Sequence, residues 1–448
     1  MVKHFLVKNF GCRASQADGA AIEAGLSAEG FSGVDEFSAA DFVVLNTCTV
    51  TATADDEVRQ TVRRIRRESP EARILVTGCY AQRAPEELAQ LDGVSLVVGN
   101  SHKANIPQLV NERFRGSAPT YHGQIEIGDI FAQTDFLTAP VEDAASAAAD
   151  SLDRMVRTRP NLKIQDGCNN RCSFCIIPYV RGRSRSAPAD RVVEQVRTLA
   201  AKYREVVLSG INLGRWGRDL AAEDSKSKSR LVDLVRTLLE ETAVERLRLS
   251  SVEPMDFSDE LLQLMADSPR IAKHVHAPLQ SGSDTVLRRM HRKYRPRHYA
   301  DRIAKARALM PDCAVGADVM TGFPGETDAE FEQSCSFIES LPFTYLHVFT
   351  YSERPGTPAA EAAQVPTRVR RDRTQVLRAL AARKNAAFRK SMLGRTLSCV
   401  TLDNGTAISG NYLKVGLAKP REANRIEEIR IGGLTSDGVS EAGTFTVL

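Results

Sequence analysis

The chain has 448 residues, of which 42% are hydrophobic and 26% are charged. That length predicts two or three domains with ample core, and the composition excludes a disordered or membrane-embedded chain. Lys3, His4 and Lys8 interrupt the first apolar run, and no other stretch is long and apolar enough to span a bilayer. We therefore expect neither a signal peptide nor a membrane anchor, and a cytoplasmic location.

Basic residues are grouped rather than spread, although the net charge is only +4. Three runs are evident, at 59–67, 181–185 and 288–297. Each run alone is equally well explained as a solvated helix face. Their proximity to predicted reactive loops favours a polyanionic partner.

Residues 1–132 alternate between short apolar runs and helical patterns. Strands are predicted at Phe5–Phe10, Phe42–Asn46 and Ile74–Thr77, and helices at Gln16–Gly30 and Asp55–Glu68. Strands that alternate with helices form parallel sheets covered by helices. We therefore predict an α/β amino-terminal domain built on a doubly wound parallel sheet.

A cysteine follows each of these three strands: Cys12, Cys48 and Cys79, here called the strand-end triplet. Because the carboxyl ends of parallel strands share one edge of a sheet, these distant thiols are expected to meet. Gly11 and Gly78 precede two of them and permit the backbone to approach a bulky ligand closely.

Two interpretations of the strand-end triplet remain open. Free cysteine is often buried as a small hydrophobe, so the thiols are inert in the simpler interpretation. Their matching positions favour the other one, an iron–sulfur cluster held by three thiolates with one iron left open. The cysteines at 313, 335 and 399 have no comparable setting, and we expect them to be structural.

A linker is predicted at 133–153, where small and acidic residues replace any core pattern. Alternation of strand and helix resumes over 154–388. The predicted strands are Leu162–Gln165, Glu205–Ser209, Arg246–Ser250, Lys273–His276, Ala314–Met320 and Tyr345–Phe349. Six such units are too few to close an eightfold barrel, so we predict an open, partial (βα)6 barrel.

The loop after the first of these strands carries Cys168, Cys172 and Cys175, here called the motif triplet, in the spacing Cys-x3-Cys-x2-Cys. Three thiolates at this spacing fit one face of a [4Fe–4S] cluster and leave one iron free. Structural zinc normally takes four ligands and no fourth cysteine or histidine lies nearby, while three cysteines cannot all form disulfides. The motif resembles the signature of the radical S-adenosylmethionine superfamily.

The loops after the other strands are polar or rich in glycine. Turn chemistry alone explains any one of them, but their common rim favours joint binding of one ligand, which the resemblance implies to be S-adenosylmethionine. The candidate contacts are Ser209, Gly210, Asn212, Ser251, Glu253, Gln280 and Asp318. His274 and His276 alternate along one strand and are expected to be satisfied core or rim histidines.

A long basic helix is predicted at Pro366–Lys390, followed by a small antiparallel β-barrel over 391–448. The barrel strands are predicted at Thr396–Leu402, Ala407–Leu417, Ile426–Ile431 and Thr444–Leu448. Barrels of this size often bind oligonucleotides, and a packing module is the alternative. Stacking and phosphate contacts are expected from Tyr412, Lys414, Lys419, Arg421 and Arg425.

Motifs along the whole chain resemble the methylthiotransferase family. The segments 164–170 and 175–186 are similar to the branch that modifies threonylcarbamoyladenosine beside the tRNA anticodon, and 350–359 also looks like the family pattern. Two other branches modify isopentenyladenosine in tRNA or an aspartate of a ribosomal protein. The carboxyl-terminal barrel resembles a TRAM domain. Ala14-Ser15 departs from the asparagine of many relatives, which bears on contacts near Cys12.

The resemblance implies a tRNA-modifying enzyme that transfers a methylthio group to C2 of N6-threonylcarbamoyladenosine at position 37. It implies two [4Fe–4S] clusters, one on each triplet, and S-adenosylmethionine, which the motif-triplet cluster cleaves to a deoxyadenosyl radical. The implied partners are the tRNA anticodon stem-loop and an electron donor such as flavodoxin or ferredoxin. The other two branches and a non-catalytic iron–sulfur RNA-binding protein are the alternatives.

Overall fold

The computed structural model describes residues 3–114, 123–134, 136–137, 158–220 and 230–443. Within them lie a parallel six-stranded sheet, a partial barrel made of two sheets and a small closed barrel. Most of the predicted linker at 133–153 and the predicted last strand, Thr444–Leu448, fall outside the described residues. No helix in the described ranges is long and apolar enough to cross a membrane.

The amino-terminal sheet has the strand order β2-β1-β3-β4-β5-β6, with all neighbours parallel. Its strands are β1 (His4–Asn9), β2 (Ser32–Gly33), β3 (Phe42–Thr47), β4 (Arg73–Gly78), β5 (Val94–Gly99) and β6 (Gln124–Glu126). The helices are α1 (Arg13–Ala28), α2 (Ala52–Glu68), α3 (Cys79–Arg83), α4 (Pro85–Ala89) and α5 (Ile106–Phe114). Separate apolar clusters cover its two faces, which confirms the predicted doubly wound sheet.

The partial barrel has six parallel strands, as predicted, and one short antiparallel strand at its edge. The strands are β7 (Asn161–Asp166), β8 (Arg185–Ser186), β9 (Glu205–Gly210), β10 (Arg246–Leu249), β11 (His274–His276), β12 (Ala314–Thr321) and β13 (Tyr345–Thr350). The helices are α6 (Ile177–Arg181), α7 (Ala189–Lys202), α8 (Leu231–Glu241), α9 (Asp259–Asp267), α10 (Asp284–Arg289), α11 (Pro296–Leu309) and α12 (Asp328–Ser340). One bridge, Leu247 to Ile271, links the two sheets.

The amino-terminal region contacts the partial barrel on two sides. Helix α1 lies against the first barrel strand, where the side chain of Asn161 donates to the carbonyl of Arg13 at 2.9 Å. The loop after β13 reaches the other side, where Arg354 pairs with buried Asp55 at 2.7 Å. Because the loop after β13 follows the carboxyl end of that strand, the second contact holds the amino-terminal region beside the carboxyl edge of the barrel.

A long helix, α13 (Thr367–Ser391), leads into a closed barrel with the strand order β14-β15-β16-β18-β17. These strands are β14 (Thr396–Thr401), β15 (Thr406–Ser409), β16 (Lys414–Gly416), β17 (Ile426–Leu434) and β18 (Val439–Glu441). The barrel is antiparallel except for the parallel pair of β16 and β18. The prediction of one strand over Ala407–Leu417 is wrong, because Tyr412 adopts a φ of 65° in a tight turn that divides it.

This closed barrel seals the end of the partial barrel opposite the cysteine loops. Arg248 pairs with buried Glu205 at 2.8 Å and donates to the carbonyl of Ser409 at 3.0 Å. Tyr412 stacks on His274, with ring centroids 4.6 Å apart. Tyr412 therefore faces the protein interior, so its prediction as an exposed base-stacking residue is wrong.

Glu205 is the carboxylate on which this seal depends. It is completely buried, and Arg159 and Arg246 also lie within 4 Å of its oxygens. Burial would raise the pKa of Glu205, but the arginines outweigh it and hold the pKa below its usual value. The native protein therefore contains an ionised carboxylate whose removal leaves buried cations without a counter-charge.

We expect Glu205→Gln to lower the free energy of unfolding by about 3–5 kcal/mol, because the substitution strips a buried ion pair of one partner. Urea unfolding followed by circular dichroism measures the change. Glu241→Gln is the matched control, since its pair with Arg197 is solvent-exposed and is worth about 0–1 kcal/mol. Equal losses in the two variants would contradict this account of the seal.

Candidate active site

The motif triplet lies in a loop that begins where β7 ends, at the carboxyl edge of the barrel strands. The loop is closed by backbone bonds, from Cys168 N–H to the carbonyl of Gly182 at 3.1 Å and from Cys175 N–H to the carbonyl of Cys172 at 3.1 Å. Burial, together with the nearby thiols of Cys172 and Cys168, raises the pKa of the Cys175 thiol to about 12. The structure therefore brings the three predicted ligands together.

Polar groups from three other strand ends surround the motif triplet. The side-chain amide of Asn212 donates to Cys168 Sγ at 3.6 Å, and its oxygen Oδ1 is buried with no hydrogen-bond partner among the described residues. Arg292 donates to Cys172 Sγ at 3.3 Å and pairs with Glu253 at 2.5 Å. Sequence reasoning selected Asn212 and Glu253 but missed Arg292, since only the fold brings this residue of the 288–297 run to the thiols.

The remaining candidate contacts for S-adenosylmethionine have mixed positions. Ser209 is buried at the end of β9 with one long bond to a backbone carbonyl, and Gly210 leaves room for the side chain of Gln165. Ser251 is partly exposed on the rim. Gln280 pairs through its backbone with β12, and Asp318 lies 3.2 Å from His276 Nε2, deeper in the barrel. Asn212, Glu253 and Ser209 are thus the candidates nearest the thiol loop or its strand.

The strand-end triplet also converges, at the carboxyl edge of the amino-terminal sheet. Burial, together with the nearby thiols of Cys79 and Cys12, raises the pKa of the Cys48 thiol to about 12. Cys48 and Cys79 are buried whereas Cys12 is exposed. An open side next to Cys12 is what a ligand larger than a thiol needs.

The glycines that precede these cysteines serve close packing of the strand ends. Gly11 has a φ of +94°, and a Cβ there would lie 2.5 Å from Cys48 Cβ. Gly78 has a φ of +99°, and a Cβ there would lie 2.3 Å from the carbonyl oxygen of Thr47. The prediction concerned close approach to a bulky ligand, whereas the structure shows each glycine close to a neighbouring strand end, in a backbone conformation that favours glycine.

One buried guanidinium connects the two triplets. Arg181, at the end of helix α6, donates from Nε to Cys79 Sγ at 3.3 Å and from Nη2 to Ser15 Oγ at 3.3 Å. Ser15 in turn lies 3.7 Å from Cys12 Sγ. Because α6 follows Cys175 directly and packs its apolar side on Cys79, the two thiol sites share one wall.

Arg181 is held by a buried ionic network that spans both regions. Asp18 of α1 accepts from Lys103 at 2.9 Å, from Arg181 at 3.0 Å and from Lys163. Asp166 accepts from Lys163 at 3.1 Å and from Arg181 at 2.9 Å. Burial would raise the pKa of Asp18, but the lysines and Arg181 outweigh it and keep the pKa well below its usual value. Sequence reasoning missed this network.

The donor chemistry of the two sites fits iron–sulfur clusters. In the described part of the chain, no three cysteine, histidine or carboxylate side chains converge tightly enough to hold one metal ion. A single zinc ion needs ligands within about 2.3 Å of one point. A cluster instead binds each thiolate to a different iron, which spaces three thiolates more widely. Each triplet supplies only three thiols, so a four-iron cluster held there would keep one iron for another ligand.

Comparisons with known proteins agree with this architecture. The family model described as "Radical SAM superfamily" matches residues 162–338, and "Uncharacterized protein family UPF0004" matches residues 4–99. The radical S-adenosylmethionine methyltransferase TsrM from Kitasatospora setae has a similar fold, with a TM-score of 0.56 at 16% identity over 80% of this chain and 77% of that chain. Fold and site thus define the class of radical S-adenosylmethionine enzymes.

Curated relatives narrow the class. Threonylcarbamoyladenosine tRNA methylthiotransferase MtaB from Aquifex aeolicus is 32% identical over 95% of this chain and 99% of its own length. The protein of the same name from Bacillus subtilis is 39% identical over 83% of this chain and 78% of its own. The tRNA-2-methylthio-N(6)-dimethylallyladenosine synthase of Maricaulis maris is 33% identical over 88% and 86%. The chain belongs to the methylthiotransferase family.

We expect Arg181→Gln to speed the loss of iron from the strand-end triplet about tenfold or more, because partners that orient metal ligands typically contribute this much. The substitution removes the donor to Cys79 and leaves Asp18 and Asp166 with fewer cations. Anaerobic transfer of iron to a chelator measures the rate, and Arg183→Gln, at an exposed position of the same segment, is the control. Equal rates in the two variants would contradict the role of Arg181.

Proposed function

We propose that this protein transfers a methylthio group to C2 of N6-threonylcarbamoyladenosine at position 37 of tRNA, beside the anticodon. The observation that carries the proposal is the pair of three-thiol sites that share helix α6 and Arg181 as a common wall. Relatives named for this reaction support the substrate, since they match the chain over most of its length. The reaction needs two [4Fe–4S] clusters and S-adenosylmethionine.

The ligands follow from the two sites. Cys168, Cys172 and Cys175 hold the cluster that binds S-adenosylmethionine, and the strand-end triplet holds the auxiliary cluster. When bound, these groups supply the radical and the sulfur. All six thiols must lose their protons to bind iron, so assembly releases protons and is opposed by the burial that raises the pKa of Cys48 and Cys175.

Around S-adenosylmethionine, we assign binding roles to the strand-end loops. The orphaned Asn212 Oδ1 accepts a hydrogen bond from the bound molecule, which removes the cost of an unpaired buried acceptor. Arg292 orients Cys172 and is itself fixed by Glu253. Ser209, Gly210, Ser251, Gln280 and Asp318 are the other candidate contacts of this proposal. The amino-terminal region covers this rim and excludes water from the reacting atoms.

The proposed reaction also bears on the domain boundaries, the electron donor and the location of the protein. Three functional units are proposed, at 1–132, 154–388 and 391–448, joined by the linker 133–153, with the last unit a TRAM-like barrel. A one-electron donor such as flavodoxin or ferredoxin is required to start the chemistry. A tRNA substrate places the protein in the cytoplasm.

A second candidate substrate is dimethylallyladenosine at the same tRNA position. Relatives named for that product are also 32–34% identical to the chain. Nucleoside mass analysis of tRNA from a strain that lacks the protein separates the two. Loss of the methylthio group from threonylcarbamoyladenosine alone supports the proposal, whereas loss from dimethylallyladenosine alone refutes it. An unchanged tRNA pool would favour the protein-aspartate branch instead.

Single cysteine variants test the division of labour between the sites. Cys172→Ala should abolish formation of 5′-deoxyadenosine and of product, because its triplet binds S-adenosylmethionine. Cys48→Ala should still form 5′-deoxyadenosine but no methylthio product. Chromatography of the small molecules and nucleosides from one anaerobic reaction measures both, with Cys313→Ala, a buried cysteine remote from either triplet, as control. Methylthiolation by Cys48→Ala would disprove the auxiliary site.

A further inference from the structure

Helix α13 carries a stripe of exposed arginines along its outer face. Arg368, Arg371 and Arg378 are spaced by three and seven residues, which places them on one side of a helix. The opposite side, which includes Leu377 and Leu380, is buried against the barrel. The stripe therefore faces solvent along the length of the first three turns.

These arginines have no carboxylate or carbonyl partner among the described residues. Most arginines of the basic runs at 59–67 and 288–297, in contrast, have such a partner. In the run at 59–67, Arg59 pairs with Asp56 and Glu87, and Arg64 pairs with Glu68. In the run at 288–297, Arg288 pairs with Asp284, and Arg289 pairs with Glu330. Nearby carboxylates thus neutralise most of the charge of the runs at 59–67 and 288–297, which had favoured a polyanionic partner. The arginines of the stripe on α13 keep their charge unpaired.

The closed barrel, where we expected phosphate contacts, is also largely neutralised. Lys414 pairs with Asp437 at 2.7 Å, Arg421 with Glu427 at 2.7 Å, and Arg425 with Glu422 at 2.9 Å. Tyr412 is stacked inside the protein. Of the five predicted contacts only Lys419 is exposed without a described partner, so the charge for an RNA backbone lies elsewhere.

Helix α13 contacts the carboxyl ends of two barrel strands near its start and the closed barrel near its end. Near its start, Thr374 bonds to Thr321 and Thr350 at 2.7 Å each, at the carboxyl ends of β12 and β13. Near its end, Arg389 donates to the carbonyl of Thr435 at 3.0 Å in the closed barrel. Helix α13 has 25 residues and is about 37 Å long, so it reaches from the carboxyl ends of β12 and β13 to the closed barrel.

The strand beside α13 is open to solvent on its other side. Phe349 of β13 is 48% exposed, and His347 of the same strand face is exposed as well. Flipped nucleobases stack on aromatic side chains of this kind. A base stacked at this edge lies on the strand that α13 packs against, so α13 is a neighbouring surface for the RNA backbone.

We propose that the outer face of α13, through Arg368, Arg371 and Arg378, is the surface that binds the phosphate backbone of the tRNA substrate. This inference rests on the proposed function, because it names where that substrate lies. The arginines contact phosphates and not bases, so they position the RNA. The nucleoside is selected instead by the site at the carboxyl ends of the barrel strands.

The test compares two triple variants of the full-length holoprotein with the same change in net charge. One is Arg368→Gln/Arg371→Gln/Arg378→Gln. The control is Arg64→Gln/Arg197→Gln/Arg230→Gln, at exposed arginines outside α13 that already pair with Glu68, Glu241 and Asp233. The probe is a tRNA anticodon stem-loop that carries threonylcarbamoyladenosine, and fluorescence anisotropy gives its affinity over a range of salt concentrations.

Loss of three phosphate contacts should reduce the slope of log affinity against log salt by about two to three in the α13 variant. The control should keep the wild-type slope. A wild-type slope in the α13 variant, or the same reduced slope in both variants, would overturn the proposal. Nucleoside analysis of the wild-type reaction keeps the two questions separate. Product without a slope change refutes only the surface, whereas a slope change without product refutes only the proposed reaction.

Discussion

Asp18 is the point on which the arrangement of the two cysteine sites depends. This carboxylate lies 2% exposed on the first helix and takes charge-assisted bonds from Lys103, Lys163 and Arg181. Bringing such groups out of water costs several kcal/mol per ion, so the network is a poor source of net stability. What it supplies is a defined register between the amino-terminal sheet and the barrel, because Asp18 and Lys103 belong to the first and Lys163 and Arg181 to the second.

That register has chemical consequences. With both carboxylates in place, the guanidinium of Arg181 can point its Nε–H only at Cys79, and the helix that carries Arg181 starts next to Cys175. The two thiol sites are thereby joined by one short helix and one planar side chain. A lysine offers the same charge but lacks the rigid fork that binds two carboxylates and a thiolate at once.

Much of the fold could be predicted from the sequence because its periodicity is strong. The six barrel strands, the three amino-terminal strands that precede cysteines and the long helix all lie within a few residues of the expected positions. Short strands such as β2 and β18 were not predicted, because two or three residues are too few to show a hydrophobic periodicity. Strand β5 was not predicted although its run Val94–Gly99 is apolar, because a short apolar run alone does not distinguish a strand from a buried helix segment.

The site was less predictable where it depends on partners distant in sequence. Six cysteines could be chosen from spacing and strand ends alone. Arg292 and Asp18 could not, because each resembles any other charged residue until the fold places it beside a thiolate or a lysine. Tyr412 was misjudged for the same reason. An aromatic residue in a basic barrel predicts RNA stacking, whereas the structure places the ring against His274.

The central claim is that each triplet of thiols holds its own four-iron cluster. Iron and acid-labile sulfide, measured per chain after anaerobic reconstitution, test it most directly. The wild type should bind about eight irons, and replacement of either triplet by alanines should leave about four. Retention of the full iron content after replacement of Cys12, Cys48 and Cys79 would contradict the account.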